Sequence, residues 1–120
     1  MIGHLVLFNP RSGVSEEQLR SFALSIAEAC QQIPSIQRSV VGKRVELDAG
    51  YPRAFGDKTY KYVAMFEFVD VSALRAYLTH PLHQRLGRLF WEVCESTVVV
   101  EAVLTEGKAD GLVEFLLDNQ

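Results

Sequence analysis

The stretch from Tyr60 to Val69 constrains this chain more than any other. Tyr60, Tyr62, Ala64, Phe66 and Phe68 alternate there with Lys61, Val63, Met65, Glu67 and Val69. A two-residue period places the two sets on opposite faces of a β-strand. One face is aromatic but for Ala64, and the other still carries Val63, Met65 and Val69. A strand with apolar residues on both faces needs cover on both.

The rest of the chain builds a sheet around this strand. Ile2 to Phe8 (IGHLVLF) reads as a short buried strand, broken by the turn residues Asn9-Pro10-Arg11-Ser12-Gly13. Ser15-Glu16-Glu17-Gln18 has capping-box spacing, in which the Ser15 hydroxyl accepts from the Gln18 amide and Gln18 reaches back. Leu19, Phe22, Ala23, Ile26, Ala27, Cys30 and Ile33 then recur at helical steps, predicting a helix of about 17 residues with that apolar face. Pro34 ends it, because a proline disfavours helical geometry in the residue before it. Ile36 to Val45 reads as a second strand, with Gly42 at a bulge or a close backbone approach. Glu46 to Thr59, with two glycines and a proline, reads as a long mobile loop.

Asp70-Val71-Ser72 supplies an N-cap for a second helix, begun by Leu74, Tyr77 and Leu78. Thr79-His80-Pro81-Leu82-His83 interrupts it, and the helical pattern resumes from Leu82 to about Glu95. Thr97 to Leu104 (TVVVEAVL) is the last strand, and Thr105 to Gln120 hold a turn followed by a short apolar helix. Two consecutive strand–helix–strand halves predict an α+β fold: a ferredoxin-like βαββαβ protomer, a four-stranded antiparallel sheet with two helices on one face. Those helices leave the face with Val63, Met65, Val98 and Val100 bare. A bare apolar patch of that size is unusual for a soluble monomer. A second copy packed sheet against sheet is the simplest cover; the alternative is that the terminal segment folds back over the sheet.

Composition excludes several classes. The chain has 120 residues, enough for one domain to bury its own core without disulfides or a structural metal. Its net charge is −3, with no basic run, so neither nucleic acid nor an anionic membrane surface is expected as a partner. No apolar stretch approaches the roughly 18 residues of a membrane helix. The two isolated cysteines, Cys30 and Cys94, read as reduced thiols of a cytoplasmic protein.

Chemistry is sparse. Two of the three histidines sit in His80-Pro81-Leu82-His83, and the third, His4, lies on the first strand. His83 could serve as a general base, with the Tyr77 phenol donating to a carbonyl or enolate oxygen, a pair suited to removing a proton alpha to a carbonyl. The competing reading makes Pro81 a kink, His80 a partner for the freed backbone groups, and Tyr77 a core residue. His4, His80 and His83 could also be considered as metal ligands, but no carboxylate or cysteine is evident to complete a set. Cys94, between Glu92 and Glu95, reads as an inert helix residue. Phe66, Phe68, Phe90 and Trp91 read as packing, and Asn9 to Gly13 lacks the Gly-Lys-Ser/Thr of a phosphate loop.

Four stretches resemble the stress-responsive A/B barrel (dimeric alpha/beta barrel, Dabb) family. They are Met1 to Phe8; Ile33-Pro34-Ser35-Ile36 with Val41-Gly42 following; Tyr77-Leu78-Thr79-His80-Pro81-Leu82-His83-Gln84; and Val98-Val99-Val100. The resemblance implies a domain over residues 1–104, followed by an extension over 105–120, and sheets that pair into a dimeric α/β barrel. In a plant branch that closes linear poly-β-ketones by an aldol reaction, it assigns the base to His83 and the assisting phenol to Tyr77. It further implies a pocket between sheet and helices with His4, Val6, Phe8, Phe22, Ala64, His80, Leu86, Gly87 and Val99 as substrate-binding residues. No cofactor is required. Magnesium enters only as a structural ion on the main-chain carbonyls of Cys30, Ile33 and Ile36, where a helix C-terminus leaves carbonyls unpaired. Two departures stand out: Ile26 occupies the place of a pocket tyrosine of that branch, and the tail after Glu101 has no counterpart there.

Three functions are therefore in view. The first is a homodimeric barrel that binds a small apolar or polyketide-like molecule. The second is a cyclase-like aldol enzyme using His83 and Tyr77. The third is a monooxygenase of the wider superfamily, which no residue here specifically supports.

Overall fold

A computed structural model of the chain describes residues 1–51, 56 and 58–118; residues 52–55 and 57, inside the expected loop from Glu46 to Thr59, lie outside them. The elements follow in the order β1 (Ile2–Pro10), α1 (Glu16–Gln32), β2 (Arg38–Lys43), β3 (Tyr62–Phe68), α2 (Val71–Leu78), α3 (Pro81–Val93), β4 (Cys94–Val103) and α4 (Ala109–Leu117). The four strands form one antiparallel sheet in the order β2-β3-β1-β4, the ferredoxin-like arrangement expected.

Register sorts the strand residues into two faces. Ile2, His4, Val6 and Phe8 of β1 lie opposite Phe68, Phe66, Ala64 and Tyr62 of β3. All of these but the half-buried Tyr62 are buried, with Phe22 and Ala29 of α1, Ile33 at its C-cap, Leu74 and Tyr77 of α2, and Leu86 and Val93 of α3 packed against them. The other face carries Leu5, Leu7, Val63, Met65, Val98 and Val100. Met65, Val98 and Val100 stay exposed on it, because no helix of the described residues covers that side. The terminal helix α4 does not fold back to cover it: its own Val113, Phe115, Leu116 and Leu117 are exposed as well.

Local chemistry explains most boundaries. The capping box forms as read, with Ser15 Oγ accepting from the Gln18 amide at 3.1 Å and Gln18 Oε1 accepting from the Ser15 amide at 3.0 Å. Asp70 caps α2 by accepting from the Ala73 amide at 2.8 Å. Gly42 is a close approach and not a bulge: the register with β3 runs unbroken through it, and a Cβ there would meet Val63 Cγ1 at 3.2 Å.

Several boundaries differ from expectation. β1 runs on to Pro10, because the Asn9 side chain extends its edge by accepting from the Lys61 amide (2.7 Å) and donating to the Thr59 carbonyl (2.8 Å). β2 and β3 are shorter than read, and β4 starts three residues earlier, at Cys94. Cys94 is therefore not a helix residue: its amide closes α3 on the Phe90 carbonyl while its backbone is already extended. On α1 the buried positions are Phe22, Ser25 and Ala29, whereas Ala23 and Ala27 are exposed. Small side chains contribute little to choosing which way an amphipathic helix turns, so the larger Phe22 and Ile33 set the roll.

Candidate functional site

The break at Thr79 to His83 builds the centre of the site. Pro81 stands at the first position of a new helix, where its missing N–H costs nothing. His80 caps that helix, its Nδ1 accepting from the Leu82 amide at 3.1 Å. His83, one turn on, is held differently. Its Nδ1 lies 3.0 Å from the Leu78 carbonyl oxygen, which can only accept, so Nδ1 carries the proton and Nε2 keeps its lone pair. Burial lowers the His83 pKa, and the Leu78 hydrogen bond opposes this only in part. The ring is thus a neutral base with one nitrogen tied down.

Beside it lies a cavity of about 660 Å³ between β1, β3 and β4 on one side and α2 and α3 on the other, within the size range of small-molecule sites. His4, Val6, Ala64, Tyr77, His83, Leu86, Gly87 and Val99, all named above from the sequence, line it. Gly87 keeps the wall open, since a Cβ there would meet nothing within 4 Å. The cavity exists because α3 leaves the helix-side flank of β4 uncovered: Val99, in register with Val6, is 52 % exposed.

Tyr77 ties the histidines together. Its buried ring lies 4.5 Å from the His83 ring centroid and 5.4 Å from that of His4, with Phe66 at 5.5 Å. Burial, and the Cys30 thiol to a lesser degree, push its phenol well above the ordinary tyrosine range. It stays a neutral hydroxyl.

Three expected site residues are placed elsewhere. Phe8 and Phe22 lie outside the main cavity, in an aromatic cluster with Phe90 (Phe8–Phe90 5.1 Å, Phe22–Phe90 4.8 Å), and line a second hollow of about 270 Å³ near Val41 and Tyr62. His80 is engaged as the cap and does not line the cavity. That also separates it from the other two histidines. Among the described residues no group of three His, Cys, Asp or Glu could hold a metal ion. At the expected carbonyl site the Ile33 oxygen accepts from the Ile36 amide at 3.3 Å, which leaves one of its two lone pairs for an ion.

The cavity also holds residues that the sequence reading passed over. Arg11, fixed by contacts at 3.3 Å to the carbonyls of Trp91 and Glu92, stands at one end with Trp91 and Glu95. Glu101 stands near His4 at the other, its Oε1 3.3 Å from His4 Nδ1. A signal for Glu101 was present: it is the single charge in TVVVEAVL, and alternation puts it on the face of Val99. Cys94 also lines the wall, and burial raises its thiol pKa, against the smaller opposing effects of Thr97 and Arg11.

Comparison with known proteins then supplies a family. A model of the stress responsive A/B barrel domain matches residues 2–104. The chain belongs to that family. Solved structures share its fold. One is a protein of Arabidopsis thaliana at 19% identity and a TM-score of 0.73, covering 90% of this chain and 99% of that one. Another is a dimeric ferredoxin-like protein of Thermobifida fusca at 21% identity and 0.68, covering 86% and 90%. A third is the hydroxynitrile lyase of Passiflora edulis at 16% identity and 0.73, covering 89% and 95%. A search of curated proteins found no match. The Thermobifida fusca protein and two further solved structures of this fold are themselves dimeric proteins. No helix among the described residues is long and apolar enough to cross a membrane.

Proposed function

We propose that this A/B barrel protein binds a small, largely apolar organic molecule in the cavity between its sheet and helices. The observation that carries the proposal is the cavity itself, a space of about 660 Å³ walled by Val6, Ala64, Phe66, Leu86 and Val99, with a few polar groups directed into it. Apolar walls supply affinity, and a few placed polar groups supply orientation. Titration with an environment-sensitive naphthalene dye tests it: wild-type protein should bind one equivalent per protomer, and Gly87→Leu, which fills the open wall, should abolish binding while leaving the fold intact. Undiminished binding by Gly87→Leu would move the site elsewhere.

The state of His83 favours a second reading, in which the bound molecule also loses a proton. A neutral imidazole with Nδ1 held by Leu78 and Nε2 free is arranged as a general base. The Tyr77 hydroxyl, neutral and beside it, suits a donor to the oxygen on which charge develops. This fits the removal of a proton alpha to a carbonyl and an aldol closure, and linear poly-β-ketones are the class to try. His83→Ala should lower any such rate by roughly 10²- to 10⁴-fold with dye binding retained. Equal rates in wild type and variant would leave binding alone.

A further inference from the structure

His4 presents an unusual problem. Its residue is 4 % exposed, and its Nδ1 is buried without a hydrogen-bond partner. Glu101 is near, with Oε1 3.3 Å from Nδ1, a contact that falls outside hydrogen-bond geometry. A buried polar atom left without a partner costs about 1–3 kcal/mol, so such an atom in a cavity wall marks a place where a ligand completes the set. Glu101 is half exposed and turned into the same space. The geometry points to a binding pole made by His4 and Glu101 that takes a neutral hydroxyl, phenolic or enolic, of an otherwise apolar ligand.

The chemistry of the two groups selects the hydroxyl. A carboxylate only accepts, so the ligand must donate to Glu101. An imidazole with a proton on Nδ1 needs an acceptor. A hydroxyl does both with one oxygen, donating its proton to Glu101 and accepting from His4. A ligand carboxylate would instead face the like charge of Glu101, and be disfavoured at this end. Burial holds His4 towards its neutral form, with the nearby His83 acting in the same sense and Glu101 against it. Placement gives the pole a further consequence. His4 and His83 both contact the Tyr77 ring, at 5.4 and 4.5 Å between centroids, so a hydroxyl anchored on Glu101 sets the adjoining carbons of the same molecule against His83.

This assignment rests on the reading of the cavity as a small-molecule site, and the test separates the two. Three probes of one shape serve: 1-naphthol, 1-methoxynaphthalene and 1-naphthoate, each titrated into wild-type protein, Glu101→Ala and Glu101→Gln. In wild type the naphthol should bind about tenfold more tightly than the ether, and the naphthoate most weakly. Glu101→Ala should bring naphthol and ether to within twofold and improve the naphthoate, while affinity for the ether stays unchanged. Glu101→Gln, which keeps an accepting oxygen, should preserve part of the preference and also relieve the naphthoate. If naphthol and ether bind wild type equally, the pole is wrong and the cavity stands. If no probe binds, the cavity reading fails and the pole with it. A naphthylmethylammonium ion that binds more tightly than naphthol, and loses this in Glu101→Ala, would replace the hydroxyl by a cation.

Discussion

The two faces of this sheet use the same strands and similar residues, and they end differently. On one, Phe66 and Phe68 are nearly inaccessible beneath the helices; on the other, Met65, Val98 and Val100 keep between a third and a half of their surface in contact with water. The difference is not in hydrophobicity but in what the chain can bring to each side. Both crossovers of a ferredoxin-like protomer carry their helices to one face. The helix-covered face is therefore completed by the protomer itself, and the bare face is not. A third condition appears at β4, where the helices stop short. There the covered side is left open, and the cavity is what remains.

The contrast can be broken most severely from the covered side. Phe68→Ala should cost about 3–5 kcal/mol, read as a lowered urea midpoint, because nothing can collapse into a hole beneath α2. Val100→Asp, on the bare face, should leave the circular dichroism of the protomer unchanged, and if a second copy covers that face it should weaken self-association by about 100-fold, measured by sedimentation. A protein that unfolded on this substitution would show that the bare face is already part of the protomer core.

A smaller effect follows from protonation. His4 and His83 both have folded pKa values below the ordinary 6.5, for reasons of burial. The unfolded chain then binds more protons, so stability is fully present above about pH 6.5 and falls as the pH drops below it. The groups facing these rings are Glu101, Tyr77 and each other. Melting temperature should decline between pH 7 and 5.5, and His4→Gln should flatten that decline. The smallest change is expected from deleting residues 105–120: with α4 exposed, the melting temperature of the protomer should move by only about 2–4 °C. A larger loss would mean that the terminal helix packs on a partner.

Legibility followed the range of the interactions involved. Ser15 and Gln18, three residues apart, meet as soon as a helix forms, and their capping box was readable from four letters. The alternation from Tyr62 to Phe68 was equally plain, since a pleated strand sorts its side chains without outside help. His80 and His83 show where this ends. They share one short motif, yet one spends its nitrogen on the Leu82 amide and the other faces a cavity. Cys94 was misplaced because helix and strand meet there without a loop, and the pairing of Pro10 with Cys94 that starts the strand joins residues far apart in the chain.

By itself, then, the sequence determined the order of strands and helices, the capped helix starts, and the presence of two apolar sheet faces, because period, capping and proline act within a few residues. Only the tertiary structure decided that Phe8 and Phe22 fill an aromatic cluster away from the main cavity, that Glu101 reaches His4, and that His83 keeps a free nitrogen. Those outcomes depend on the register of β4 against β1 and on how far α3 reaches across the sheet. Both are set by the packing of the whole core, which no local pattern records.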